Sequence, residues 1–210
     1  MISQDERERT IAWHDRNAPS LCMTYDKADP AALHGLLRHW VKPGDRVLEL
    51  GCGSGRDARF LASLGARVTA TDGSREMLRE AEAKGGGPEY ALLPLPAGRK
   101  GIEAAGIAGA FDVVLAVALI MHFADDALRL VLRDIDSLSS PEAAVILSFC
   151  TGHPREEGRA YHDHSAEQVA LLMRESGFEV AERTSSRDSL GRGIAWHTMV
   201  FRRVAEKREP

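Results

Sequence analysis

Three glycines stand at alternate positions in the stretch VLELGCGSGRDARF, at Gly51, Gly53 and Gly55, directly behind the apolar run 47–50. A second apolar run, VTATD, ends in the acid Asp72. Glycines at such a place allow tight positive-φ turns and let a ligand lie against bare backbone. An acid that closes the second strand of a nucleotide-binding fold accepts hydrogen bonds from ribose hydroxyls. The dinucleotide fingerprint GxGxxG would need glycine at position 56, where Arg56 stands, and no GK[ST] of a phosphate-binding loop follows. The chemistry predicted is therefore binding of a nucleoside with no pyrophosphate to cradle. A further acid, Glu49, lies inside the first run.

Other residues of chemical type flank this core. His122 is the penultimate residue of the run FDVVLAVALIMHF. An imidazole titrates near neutrality and can take a proton from a substrate, so His122 is the catalytic candidate and also a candidate substrate contact; the alternative is a packing histidine. The segment HPREEGRAYHDH offers Arg155, Arg159, Tyr161, His162 and His164 to an anionic or polar substrate, or forms a solvated loop. Its HDH lacks the i, i+4 spacing of helical metal ligands, and no metal site is expected. Arg187, Asp188, Arg192, Trp196 and His197 form a second group, in which Trp196 and His197 face opposite ways if they share a strand. Cys52 reads as a small filler between glycines rather than a nucleophile. Tyr25 is either a core aromatic or part of a cover over the site, and Trp13, His14, Arg16 and Asn17 belong to the same cover or to an ordinary surface helix.

The elements that must position these residues alternate. A polar helix over residues 5–18 is expected to stop at Pro19. A second runs from Pro30 to about Trp40, capped by Asp29. Strands are expected at 47–50, 68–71, 89–93, from 111 onward, and at 143–149. Helices are expected at 56–64, from Ser74 to about Lys84, and from Asp125 or Asp126 to about Leu138. Residues 94–109 read as loop with room for a short helix. Ser165 with Gln168 suggests a capping box ahead of a helix that ends at Gly177. Strands at 178–184 and 196–204 have no helix between them. This order predicts an α/β, Rossmann-like, doubly wound sheet of seven strands, mostly parallel with an antiparallel last strand. The chain of 210 residues suits one domain, with residues 1–40 as a helical lid, 44–150 as the ligand-binding core, and 151–164 and 185–195 as substrate-side loops.

Composition narrows the partners. Net charge is -4, with a sequence pI of about 6.1, so a general nucleic-acid binder is disfavoured. The charged start MISQDERERT has no signal-peptide core, and no apolar run reaches the roughly 18 residues of a membrane span. Three cysteines lie far apart without CxxC, which argues against disulfides or structural zinc and fits a reducing cytoplasm.

Taken together, VLELGCGSG followed by VTATD closely resembles the first two motifs of class I S-adenosylmethionine-dependent methyltransferases. FDVVLAVALIMHF resembles their fourth-strand motif, and PEAAVILSF their fifth strand. GRDARFLASLGARVTATDGSREML looks like the small-molecule and tellurite-resistance-type branch. The likeness covers about residues 44–150. It implies S-adenosylmethionine as cofactor, with Glu49 near the methionine moiety and Gly51, Cys52, Gly53 and Gly55 beneath the cofactor; Arg56 is either an exposed helix-start residue or a contact to the cofactor carboxylate or a nearby substrate. It implies Asp72 on the ribose, with Gly73 and Met77 beside ribose and adenine. Leu92 and Leu93 fall at the adenine edge, where relatives often carry an acid or amide; ALLPL leaves backbone contacts. Ala116 and Val117 fall where fourth-strand backbone meets the methionyl amino group, and Tyr25 resembles an N-terminal tyrosine that covers the cofactor. The acceptor expected is a small molecule or peptide methylated on O, N or S, by a monomer or homodimer. The NPPY-type motif of nucleic-acid aminomethylating enzymes is absent, with AVAL in its place. Two alternatives stay open: a non-catalytic S-adenosylmethionine-binding regulator, which would bind without turnover, and a nucleic-acid methyltransferase, whose polynucleotide binding would weaken strongly with salt. Arg56 disfavours a nicotinamide oxidoreductase.

Overall fold

Short runs rich in valine, leucine and isoleucine become the middle of a sheet because both of their faces can be buried. In the computed structural model, which describes residues 4–153, 157–188 and 193–204, these runs are β1 (Arg46–Leu50), β2 (Arg67–Asp72), β3 (Glu89–Leu92), β4 (Phe111–Val117), β5 (Ser139–Thr151), β6 (Phe178–Arg187) and β7 (Ala195–Arg203). The helices are α1 (Gln4–Lys27), α2 (Ala31–Trp40), α3 (Arg56–Ser63), α4 (Arg75–Ala83), α5 (Gly98–Ala104), α6 (Asp125–Leu138) and α7 (Ala166–Glu175), with a 3₁₀ turn at Ile120–His122. The strands form one sheet in the order β3-β2-β1-β4-β5-β7-β6. β1 to β5 pair in parallel, and β7 runs antiparallel to both β5 and β6, so the last strand is the reversed one, as expected.

Two apolar layers cover the sheet. One face packs Leu48, Val114 and Leu147 against α6 and α7 through Leu128, Leu132 and Met173. The other packs Val47, Leu115 and Ile146 against Leu37 of α2 and Leu61 of α3. Strand alternation thus sends neighbouring residues to opposite cores.

Local signals in the sequence are used as expected at several ends. The Ser74 hydroxyl accepts from the Met77 amide at 3.1 Å, and Ser165 accepts from Gln168 N at 3.1 Å. The Gln168 side chain does not complete the capping box; it donates to Asp125 Oδ1 at 3.0 Å instead. Asp29 Oδ1 accepts from Ala31 N at 2.9 Å, which starts α2.

α1 departs from the expectation. It runs through Pro19 to Lys27 rather than stopping there. Proline inside a helix removes one backbone hydrogen bond and costs about 3 kcal/mol relative to alanine. Tertiary contacts offset that here. Ala18 and Cys22 pack with Met77 of α4, and Asp15 Oδ1 accepts from Ser74 Oγ and Glu76 N at the start of α4. β5 is also longer than the expected 143–149, because its first residues continue directly from α6. Among the described residues, no helix is long and apolar enough to cross a membrane.

Candidate functional site

The carboxyl ends of β1, β2, β4 and β5 meet at one end of the sheet, which is where parallel sheets of this kind bind ligands. A cavity of about 440 Å³ lies there, roofed by α1, the 3₁₀ turn and residues 157–161. That volume falls within the roughly 300–1,000 Å³ of small-molecule sites.

Its floor is the glycine loop. Gly51, Gly53 and Gly55 take φ of 70°, 54° and 70°. At Gly51 a Cβ would meet Leu119 Cδ1 at 2.9 Å, and at Gly55 it would meet the Tyr90 hydroxyl at 2.7 Å. The Tyr25 ring of α1 lies directly over Gly53. Asp72 ties the loop to β2: its Oδ2 accepts from Gly53 N at 3.0 Å and its Oδ1 from Ser74 N at 2.9 Å. Each oxygen keeps a lone pair for a further donor. Burial pushes this carboxyl up, against the pull of the backbone donors.

Glu49 is only 2% exposed, and its Oε2 has no hydrogen-bond partner among the described residues. Burial, and then the neighbouring Asp57 and Asp72 carboxylates, raise it well above the usual glutamate range. A buried acceptor facing a cavity without a partner is a place for a cationic donor from a ligand.

Arg56 lines the same cavity, yet its guanidinium is engaged by protein. Nε and one terminal nitrogen donate to the two oxygens of Asp57, each at 2.9 Å, and the other terminal nitrogen donates to Tyr25 O at 2.7 Å and Ala28 O at 3.3 Å. Asp57 also meets His34 Nε2 at 2.8 Å. Against the cost of burial, these partners hold its carboxyl below the usual aspartate range. Arg56 therefore joins the end of α1 to the start of α3.

The remaining cofactor candidates divide by strand alternation. Cys52, Gly73, Met77, Leu93 and Val117 lie on the cavity wall. Leu92 points into the core on the opposite face, and Ala116 is buried in the core beneath α6. The Cys52 thiol is buried, and burial pushes it well up, away from the reactive thiolate.

The roof is aromatic. His122 sits on the 3₁₀ turn, just beyond Ala118, whose φ of 55° is the single positive value at a non-glycine among the described residues. Such strained backbone gathers at functional sites. His122 Nδ1 donates to Ala160 O at 2.7 Å, and burial lowers this imidazole to about 3. Its ring lies 5.1 Å from Tyr161 and 5.5 Å from His14. The Arg159 guanidinium stands 4.2 Å over Trp13 and 4.7 Å over Tyr161, and His153 stacks on Tyr161 at 3.9 Å. His162 and His164 are not on this wall. His162 meets Glu6 at 3.3 Å and gives its amide to Met121 O at 2.7 Å, while the buried His164 donates to Phe123 O at 2.9 Å. Both pin the loop after β5 onto α1 and the 3₁₀ turn. Trp196 is on the wall and donates to Asp188 at 3.1 Å. Arg155 and Arg192 lie outside the described residues. Trp13 and His14, candidates for the cover, line the wall, and Cys150 is a wall residue that the sequence did not single out. The spacing of a polar helix gives no sign of which of its residues faces a cavity.

Comparison with known proteins bears on this arrangement. Residues 47–142 match the family described as a methyltransferase domain. The ubiquinone biosynthesis O-methyltransferase of Methylocella silvestris is 36% identical over 106 residues, covering 49% of this chain and 36% of that protein. The protein of the same name from Xanthomonas campestris pv. campestris is 28% identical, covering 77% of this chain and 64% of its own length. The chain therefore spans about a third to just under two thirds of these curated relatives. A solved structure, the 1,6-didemethyltoxoflavin-N1-methyltransferase of Burkholderia thailandensis with bound 1,6-didemethyltoxoflavin and S-adenosylhomocysteine, superposes with a TM-score of 0.74 at 19% identity, over 97% of this chain and 91% of that one. The folds are the same.

Proposed function

We propose, from the premise that residues 47–142 are a methyltransferase domain on a class I S-adenosylmethionine-dependent methyltransferase fold, that this protein methylates a small molecule and uses S-adenosylmethionine as donor. The observation that carries the reading is Glu49, a buried carboxylate with an unpartnered oxygen on a cavity floored by the glycine loop and Asp72. An ammonium beside a ribose is the ligand pattern that those two acids fit.

The residues present suit the donor. Gly51, Gly53 and Gly55 would support it on backbone, Asp72 would accept from the ribose hydroxyls, and Glu49 would receive the methionyl ammonium. Tyr25 and Met77 would enclose the nucleoside, with Gly73 and Leu93 beside it. The bound donor supplies a methyl group already activated on a sulfonium. What remains for the protein is to hold the acceptor in line, exclude water and accept a proton where the acceptor has one to lose. His122, Tyr161 and Arg159 on the acceptor side of the cavity, together with Trp13, favour a planar, polar acceptor. We place the protein with the small-molecule branch, whose tellurite-resistance-type members its glycine loop resembles; a peptide acceptor would need an open groove, and this cavity is roofed.

Calorimetric titration with S-adenosylmethionine, S-adenosylhomocysteine and NAD tests the reading. Micromolar binding of the first two and none of NAD is expected. Asp72→Ala should weaken both by about 1–3 kcal/mol through lost charge-assisted hydrogen bonds. An unchanged affinity would remove the ribose assignment, and a response to NAD would overturn the cofactor.

A further inference from the structure

Beyond the end of β3 the cavity wall is formed by Leu93 and Leu95, both apolar. The polar group at this end comes from α1. Arg7, Ile11 and His14 stand at i, i+4 and i+7, so they share one face of the helix, and all three line the cavity. Ile11 lies against the turn after β2: a Cβ at Gly73 would meet Ile11 Cδ1 at 3.3 Å and Pro94 Cα at 3.5 Å. Arg7 lies about one helical turn earlier, and its Nη1 donates to Pro96 O at a long 3.5 Å. This face of α1 therefore leads away from Asp72 and its neighbour Gly73, past Pro94, to Arg7 at Pro96.

The Arg7 Nε is closed off from water and has no acceptor among the described residues. A guanidinium does not give up its proton near neutral pH, so this N–H remains a donor that has lost its water and gained nothing in return. Buried polar groups without partners are rare, and one on a cavity wall points to a ligand atom that completes it. The atom must be an acceptor, because arginine offers only donors. Of the parts of an adenine nucleoside, the base edge remote from the ribose carries N1, which only accepts, beside an amino group that donates. In hypoxanthine N1 carries a hydrogen and becomes a donor.

We infer that Arg7 of the first helix is a binding residue for the adenine ring, its Nε–H donating to N1, and that this contact selects adenine nucleosides over those of hypoxanthine. This rests on the S-adenosylmethionine reading, with the ribose at Asp72. A base with hydrogen on N1 would set two donors against each other and leave the charged N–H unpaired. A base with carbon in place of N1 would leave it unpaired without the repulsion. Because Arg7 belongs to the helix that roofs the cavity, the same contact fastens the N-terminal end of that roof to the bound cofactor, as Tyr25 over Gly53 does near its other end.

The test is calorimetric titration of the full chain with S-adenosylhomocysteine, its 1-deaza analogue and S-inosylhomocysteine. The wild-type protein should bind the first about tenfold more tightly than the second, the scale of one hydrogen bond from a charged donor, and the third more weakly still. Equal affinity for the first two would overturn the inference. Arg7→Met keeps the stem and removes the donor. It should bring S-adenosylhomocysteine down to the level of the 1-deaza analogue and leave the analogue's own affinity unchanged, which is the signature of a direct pair. An equal loss with both ligands would mean that Arg7 acts by seating the helix, and a preference for N1 that survives the substitution would mean that another group holds N1; either overturns the inference. Should the variant fail to fold, wild-type protein with ¹⁵N-labelled arginine supplies the same decision: one buried Nε–H resonance should shift with S-adenosylhomocysteine and not with the 1-deaza analogue, and its indifference to N1 would overturn the assignment. A wild-type protein that binds neither S-adenosylhomocysteine nor S-adenosylmethionine would instead remove the methyltransferase reading itself.

Discussion

Glu49 shows most plainly how one side chain can serve binding at the expense of the empty fold. Its carboxyl sits in a low-dielectric place beside two other acids, with one oxygen unpartnered. A carboxyl raised in the folded state stabilises the protein below the usual glutamate range, and that contribution is lost as pH rises through the elevated value. Above that raised value the free protein carries a buried charge that a cationic ligand would compensate. Glu49→Gln keeps the shape and removes the charge. At a pH above that raised value the free protein should melt a few degrees higher, since about 1 kcal/mol corresponds to roughly 2–4 °C in a chain of this size. Affinity for S-adenosylmethionine should fall about tenfold, or about 1.4 kcal/mol. Calorimetry of melting and of binding on the same sample checks both signs; a lower melting temperature would show that Glu49 has a partner when the site is empty. The sequence made this acid visible because it interrupts an apolar strand. His14 was legible only as one of four cover candidates, since nothing in DERERTIAWHDRN distinguishes the residues that face the cavity from those that face water.

At the scale of elements, the strand ends and glycine turns were legible because each obeys a local rule. At Gly51 and Gly55 any Cβ would collide with a neighbouring side chain, and Ser74 caps its helix as its type predicts. The extent of α1 was not legible, because Pro19 is a correct local stop signal overruled by distant contacts. Arg56 is the residue where this matters most. Sequence left it between an exposed helix-start residue and a contact to the cofactor or a nearby substrate; in the fold it lines the cavity, and its guanidinium forms a fork on Asp57 and holds the Tyr25 and Ala28 carbonyls at the end of α1. This cluster stabilises the fold above the usual aspartate range and is lost as pH falls through the depressed value of Asp57. Arg56→Gln should leave the Asp57 carboxylate buried with the His34 imidazole as its remaining side-chain partner, and such breaks cost about 3–5 kcal/mol. Hydrogen exchange should quicken in the last two turns of α1 before it does in β1 or β4, and Tyr25 should lose its place over Gly53. Uniform quickening would mean that Arg56 supports the core rather than the roof.

At the scale of the whole molecule, the seven-stranded, mostly parallel sheet followed from alternating strands and helices, and the reversed last strand from the missing helix between residues 184 and 196. What neither composition nor periodicity revealed is where the reversed strand inserts. β7 does not lie at the edge; it is the neighbour of β5, and β6 reaches the sheet only through it. Eight successive residues of β5, 143–150, are buried, so the strand has no polar side to show water if its neighbour is missing. On a ribosome this has a cost in time. Everything up to β6 can be synthesised and partly assembled while β5 still presents an open apolar margin, and only the emergence of residues 195–203 closes it. Unpaired margins of that kind recruit other chains. Nascent chains stalled short of Ala195 should therefore be retained by chaperones or precipitate in a coupled translation assay, whereas chains released after Arg203 should remain in the supernatant.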